Sequence, residues 1–108
     1  MLWEILVPRR WNNGKPIRTR HHRQFDGRVK RIAGGLTIHP ATIKGEWISP
    51  EGELFVDSTI PVRIACTRKQ IEEIMDFAAK HYRQKAIFAY KISDEVIVKH
   101  YENGYQTN

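Results

Sequence analysis

The segment from Glu53 to Gln70 constrains this chain more than any other. It alternates, with Leu54, Val56, Ile60, Val62 and Ile64 on one phase and Phe55, Asp57, Thr59 and Arg63 on the other, and then runs into Thr67-Arg68-Lys69-Gln70. Residues two apart on an extended chain share a face, so a strand with one apolar side is expected over Glu53 to Cys66. The next four residues have the form of a capping box, in which the threonine hydroxyl accepts from the amide three residues on and the glutamine side chain reaches back. A helix therefore starts where the strand stops. Its stripe is Ile71, Ile74, Met75, Ala78 and Tyr82, with Glu72, Glu73, Asp76, Lys80 and Arg83 largely on the solvent side. A half-apolar strand followed at once by a half-apolar helix calls for a layered fold of sheet and helix.

The flanking segments complete the pattern. Trp3, Ile5 and Val7 share a face of an extended stretch closed by Pro8. Residues Arg9 to Arg18 hold Asn12-Asn13-Gly14 and Lys15-Pro16, turn residues that predict a loop. From Arg20 to Ile32, the residues His22, Phe25, Val29 and Ile32 recur at helical steps and stop at Gly34-Gly35, with Gly27 weakening the helix between them. Leu36 to Ile48 reads as one strand, joined to the next by Ser49-Pro50-Glu51-Gly52. Ala86, Phe88, Tyr90 and Ile92 alternate against Ile87, Ala89 and Lys91, followed by Val96 and Val98. The last residues, 102–108, read as a flexible tail. The order strand, helix, strand, strand, helix, strand predicts an α+β, ferredoxin-like βαββαβ fold, with an antiparallel sheet carrying two helices on one face. Outward-pointing Phe55 and its apolar neighbours then leave a bare sheet face for a partner, and a homo-oligomer, dimer or trimer, would hide it.

The 108 residues fit one domain, and no apolar run approaches the roughly 18 residues that a membrane span needs. The start, Met1-Leu2-Trp3-Glu4, has neither a basic region nor a long apolar one. Together with a lone cysteine, Cys66, this predicts a cytoplasmic protein with no internal disulfide. The net charge of +6 is unevenly spread: residues 1–33 hold nine Lys or Arg against Glu4 and Asp26, a net of +7, whereas the remainder holds nine against ten. A basic loop at residues 9–19 and the start of the first helix would attract anions. Arg18, Arg20, His21 and Arg23 are the anion-binding candidates.

No phosphate-loop, nucleophile-elbow or zinc-helix motif is present. One cysteine and scattered histidines give no tetrahedral zinc spacing, so neither metal nor cofactor is expected. Cys66 has the inward phase of a small core residue, and His22 that of a core-edge residue. The ligand-binding candidates are Trp47, a flat apolar wall; Asp57, opposite a cation; Arg63, opposite a carboxylate or phosphate; and Tyr82 and Gln84 at the end of the second helix. Asp57 and Arg63 share a phase but lie six residues apart, about 20 Å along an extended chain, so one compact site would need a neighbouring subunit.

Gly34-Gly35-Leu36-Thr37, Gly45-Glu46-Trp47, Asp57-Ser58-Thr59 leading into Val62-Arg63-Ile64, and Tyr82-Arg83-Gln84-Lys85-Ala86-Ile87 give the chain its likeness to known proteins. Over residues 20–92 it resembles a group of small bacterial and phage proteins of ferredoxin-like fold that have no assigned reaction. More distantly it is similar to phage S-adenosylmethionine lyases, through Gly45 to Trp47, Asp57, Val62-Arg63 and Ala86 to Lys91. That resemblance implies a trimer with active sites between subunits, cleaving the sulfonium compound to homoserine lactone and methylthioadenosine. Trp47 stands where that family shows tyrosine, and Asp57 where it shows glutamate.

Three functions follow as expectations. The first is an oligomer holding a small ligand on the open sheet face or between subunits, with a lyase-like enzyme as its sharper form. The second is a nucleic-acid-binding domain that uses the basic segment, in a strand order shared with RNA-recognition domains. The third is a structural or inhibitory protein that docks on a host partner.

Overall fold

A computed structural model describes residues 1–39 and 43–102. Its elements run β1 (Leu2–Pro8), α1 (Thr19–Ala33), β2 (Thr37–Ile38), β3 (Ile43–Ile48), β4 (Leu54–Ala65), α2 (Arg68–His81) and β5 (Phe88–Ser93). All pairings are antiparallel: β4 pairs β1 on one side and both β2 and β3 on the other, and β1 pairs β5. Helices follow the first strand and the hairpin, so this is the ferredoxin-like arrangement expected from the order of elements. None of the described helices is long and apolar enough to cross a membrane.

The expected strand from Leu36 to Ile48 is divided in two, and Pro61 supplies the reason. Antiparallel pairing turns a residue's N–H and C=O to the same side. The Pro61 carbonyl accepts from His39 N at 3.0 Å, so its nitrogen faces the same neighbour and has no hydrogen to donate. β2 leaves the ladder opposite Val62, and β3 rejoins it opposite Thr59. The expected strand's middle, residues 40–42, lies outside the described residues, as does the expected tail beyond Glu102.

The core lies between sheet and helices. Trp3, Ile5, Val7, Val62, Ile64 and Cys66 face Phe25 and Val29 of α1 and Ile71, Ile74 and Ala78 of α2. The alternation of β4 is intact, but its apolar phase is core only near its C-terminal end. Val62 and Ile64 are buried, whereas Leu54 and Val56, on the same phase, are 62% and 55% exposed. The outer part of the β3–β4 hairpin extends as an arm, on which Ile48 is exposed along with Leu54 and Val56. Burial weakens Cys66 as an acid, in keeping with a packing role.

The capping box forms as expected: the Thr67 hydroxyl accepts from Gln70 N at 3.1 Å, and the Gln70 side chain accepts from Thr67 N at 2.9 Å. The Gln70 amide also donates to Ile32 O at 3.0 Å, tying the start of α2 to the end of α1. At the opposite ends of the two helices, His21 and His81 stack with ring centroids 3.7 Å apart. Each Nε2 donates to the other residue's carbonyl, at 2.6 and 2.7 Å. Because a carbonyl only accepts, both rings must carry hydrogen on Nε2. Next to them, His22 Nδ1 and the Tyr82 hydroxyl share a hydrogen bond of 2.7 Å.

The expected loop after β1 is tightly built. An isolated bridge joins Arg10 to Pro16, Trp11 N donates to Lys15 O at 2.8 Å, and Gly14 takes the positive φ of 85° that closes the turn. Ile17 anchors its far end in the core. Gly27 does not interrupt α1.

Two outcomes test these contacts. Replacing the cap, Thr67→Ala, should destabilise the fold by about 1 kcal/mol in urea melts. Burial, and then the nearby histidines, hold His22 and His81 below the usual 6.5. The native state therefore takes up fewer protons than the unfolded chain, so the stability these neutral rings contribute is present above pH 6.5 and is lost as pH falls below it. Urea midpoints should drop on acidification from neutrality, and His22→Gln/His81→Gln should flatten that dependence.

Candidate ligand-binding site

Where the arm leaves the body of the sheet, β1, β3, β4 and the α2–β5 connection enclose a cleft of about 220 Å³. Register dictates what lines it. Gly45 is opposite Asp57 and Trp47 opposite Phe55, so a position without a side chain opens the floor beside the carboxylate. The Trp47 indole stacks on Phe55 at 4.7 Å and meets the edge of Phe88 at 6.4 Å. Its Nε1–H donates to Asp57 Oδ2 at 2.8 Å. That bond holds the ring across the strand pair and orients the carboxylate, leaving Oδ1 for another donor. The Thr59 hydroxyl, also on the lining, is committed to Ile43 O at 3.0 Å.

Gln84 closes the cleft from the helix side. α2 ends when Arg83 enters the left-handed region at φ 54°, with its N–H on Lys80 O at 3.2 Å, and the chain turns back toward the sheet. The Gln84 amide then donates to Tyr82 O at 3.0 Å and to Asn12 Oδ1 at 3.1 Å. Asn12 in turn donates to Arg83 O at 3.3 Å, and the Arg83 guanidinium lies 5.6 Å from the Trp11 ring centre. The basic loop is thus fastened to the rim of the cleft.

Trp47, Asp57 and Gln84 are therefore brought together, although they come from three separate stretches of chain. The lining also includes Leu6, Pro8 and Phe88, and its charged residues are Asp57 and Glu46, with no Lys or Arg; Glu46 is paired with Lys44 at 4.0 Å, which leaves Asp57 as the carboxylate outside any ion pair among the described residues. In a protein of net charge +6, that is an anionic, aromatic-walled recess.

Arg63 lies on the same open face but outside the cleft. It is opposite Glu4 in the β1–β4 ladder, and its Nε donates to Glu4 Oε1 at 3.0 Å. Tyr90, opposite Glu4 on the other side, donates its hydroxyl to Oε2. Burial alone would raise the Glu4 pKa, but these two donors outweigh it and hold the carboxyl below its usual value. The same hydrogen bond, with burial, raises the Tyr90 phenol. This three-residue network was missed from the sequence, where Glu4 appears only as a polar residue inside an apolar strand; that conflict with the strand's apolar neighbours was the available signal. Tyr82 is elsewhere again. It is fully buried between the helices, bonded to His22, and burial raises its phenol far above the usual range.

Of the anion-binding candidates, Arg18, Arg20 and His21 line a second, wider cavity with Trp11 and Lys15. Arg23 is on the exposed side of α1, in the field of Asp26. Among the described residues, no three His, Cys, Asp or Glu side chains gather in a way that would hold a metal ion.

No protein-family model matches the sequence, and no curated protein does. Solved structures do match in shape. A divalent cation tolerance protein, CutA1, from Thermus thermophilus superposes with a TM-score of 0.57 at 15% identity, over 88% of this chain and 85% of that one. CutA1 from Oryza sativa gives 0.55 at 12% identity, over 82% and 73%. A phage S-adenosylmethionine lyase in complex with S-methyl-5'-thioadenosine gives 0.60 at 8% identity, over 82% and 76%. At such identities the likeness is one of fold, and it shows this chain to be a small α+β protein of ferredoxin-like architecture.

Proposed function

We propose that this chain is a small-ligand-binding subunit of a homo-oligomer, and that its ligand is a small organic cation seated in the Trp47–Asp57 cleft. One observation carries the reading: a recess walled by aromatic and aliphatic side chains offers the Asp57 carboxylate and no Lys or Arg, although the protein as a whole is basic. Aromatic faces and a carboxylate both attract positive charge, and more strongly once water is excluded. Oligomerisation supplies the exclusion. The cleft lies on the open face at the root of the arm, where Phe55, Phe88, Tyr90 and Ile92 are exposed. A sister subunit laid over these residues would bury them and roof the recess.

A second reading is favoured by the same chemistry and supported by the fold shared with the phage lyase. A sulfonium is an organic cation, and cleavage of S-adenosylmethionine needs no external base. The substrate carboxylate oxygen attacks its own γ-carbon, the carbon–sulfur bond breaks, and its electron pair goes to sulfur, giving homoserine lactone and methylthioadenosine. Opposite charges disappear in this step, so a dry site that fixes the reactive conformer accelerates it. Asp57 Oδ1 would hold the substrate ammonium, and Trp47 would cover the sulfonium.

Calorimetry with S-adenosylmethionine, product analysis and sedimentation test the proposal together. The expected result is a dimer or trimer that binds the sulfonium compound, with Asp57→Ala weakening binding about tenfold or more. Binding without lactone formation retains the ligand-binding reading and removes the lyase. A monomer at about 100 µM protein overturns the oligomer, and absence of binding overturns the cation site.

A further inference from the structure

We infer that the cavity at the start of α1 is a second binding site, for clustered phosphates, separate from the Trp47–Asp57 cleft and opposite to it in charge. The cavity has a volume of about 510 Å³ and is lined by Trp11, Lys15, Arg18, Arg20, His21 and Gln24, with no carboxylate. Among the described residues, the ion pairs are Lys44–Glu46, Arg63–Glu4, Arg68–Glu72 and Lys91–Asp94. None involves Lys15, Arg18 or Arg20, so three cations converge on one concavity uncompensated.

Folding alone does not account for that choice of residues. The amino end of a helix carries partial positive charge and is stabilised by acidic or small hydroxyl residues. Here the cap is Arg18, whose side chain makes no capping bond, and the first turn contains no acidic residue. The cavity is also firmly built. Trp11 meets the His21 ring edge at 4.8 Å, and His21 is held by its 2.6 Å bond to His81 O. The loop bearing Lys15 is pinned by Trp11 N to Lys15 O at 2.8 Å and by the Asn13 carboxamide oxygen, which accepts from Lys15 N at 2.9 Å. Two guanidiniums, one ammonium and a rigid wall suit a ligand carrying two or more phosphates, each guanidinium able to grip two oxygens. A free polyphosphate and a nucleic-acid strand share this chemistry.

The test uses the full chain with tripolyphosphate and with a short oligothymidylate, by calorimetry at about 50 and 150 mM salt. Both probes should bind, and Arg18→Glu/Arg20→Glu should weaken them about tenfold or more. The same variant should melt no lower than the parent, because it places acidic residues at the amino end of α1. Should it melt lower, Arg18→Gln and Arg20→Gln carry the test. Lys69→Glu/Lys99→Glu, an equal change in charge elsewhere on the surface, should leave affinity within about twofold. Tripolyphosphate that binds and displaces the strand identifies a free polyphosphate as the source. A strand that binds with a steeper salt dependence and resists displacement identifies nucleic acid. No binding at the lower salt, or equal losses in the two double variants, overturns the inference.

Discussion

Strand β4 carries the molecule, and Pro61 divides its work. On the Ala65 side of the proline, the strand has β1 and β2 as neighbours and both helices beneath it. On the Leu54 side it has β3 and ends as an arm. A proline in an interior strand is tolerated only where the ladder need not receive its hydrogen. The break between β2 and β3 provides such a place. The missing N–H thus marks the break between β2 and β3, while β1 continues beside β4 as far as Thr59.

Over the body of the sheet, the open face is closed by its own side chains, with Glu4 buried beneath Arg63 and Tyr90. A carboxylate on a sheet face survives burial only with donors on both oxygens, and once satisfied it offers nothing further. At the root of the arm the geometry differs. Gly45 leaves a gap, Asp57 has one oxygen engaged by Trp47, and the helix end swings Gln84 across.

Much of this was legible in the residues. Period-two alternation, the capping box and the two helical stripes each report a local cause acting on adjacent residues, and β1, β4 and both helices formed where expected, whereas the last strand stops at Ser93, short of the expected Val96 and Val98. The divided strand was harder, since the residue responsible, Pro61, belongs to the partner strand and acts through a hydrogen bond it cannot make. Alternation likewise could not distinguish Val56 from Val62: the two share a phase, and only the position of the helices decides that one is core and the other exposed. The candidate site divided along similar lines. Trp47 and Asp57 are cross-strand neighbours, within reach of pattern reasoning. Tyr82 fell on both the helical stripe and the list of site candidates, and the stripe describes its fully buried position.

The two concave sites are of opposite charge, and the connection between them is short. Asn12 belongs to the basic loop whose Trp11 and Lys15 line the cationic cavity, yet its carboxamide is bonded to Arg83 O and Gln84 Nε2, and Gln84 lines the anionic cleft. Arg83 holds a left-handed backbone conformation that most residues avoid, and the contacts of its carbonyl and guanidinium with this loop help to retain it there. A displacement of the loop would therefore act on the end of α2 and on Gln84 through hydrogen bonds already present. The segregation of charge has a physical consequence even with the loop fixed. Glu46 is paired with Lys44, whereas Asp57 is in none of the ion pairs among the described residues and has the Trp47 indole as its donor. The exclusion of Asp and Glu from the cavity at α1 leaves its cations available to anions. The lining of each recess thus lacks side chains of the opposite formal charge to Asp57 in the one and to Lys15, Arg18 and Arg20 in the other.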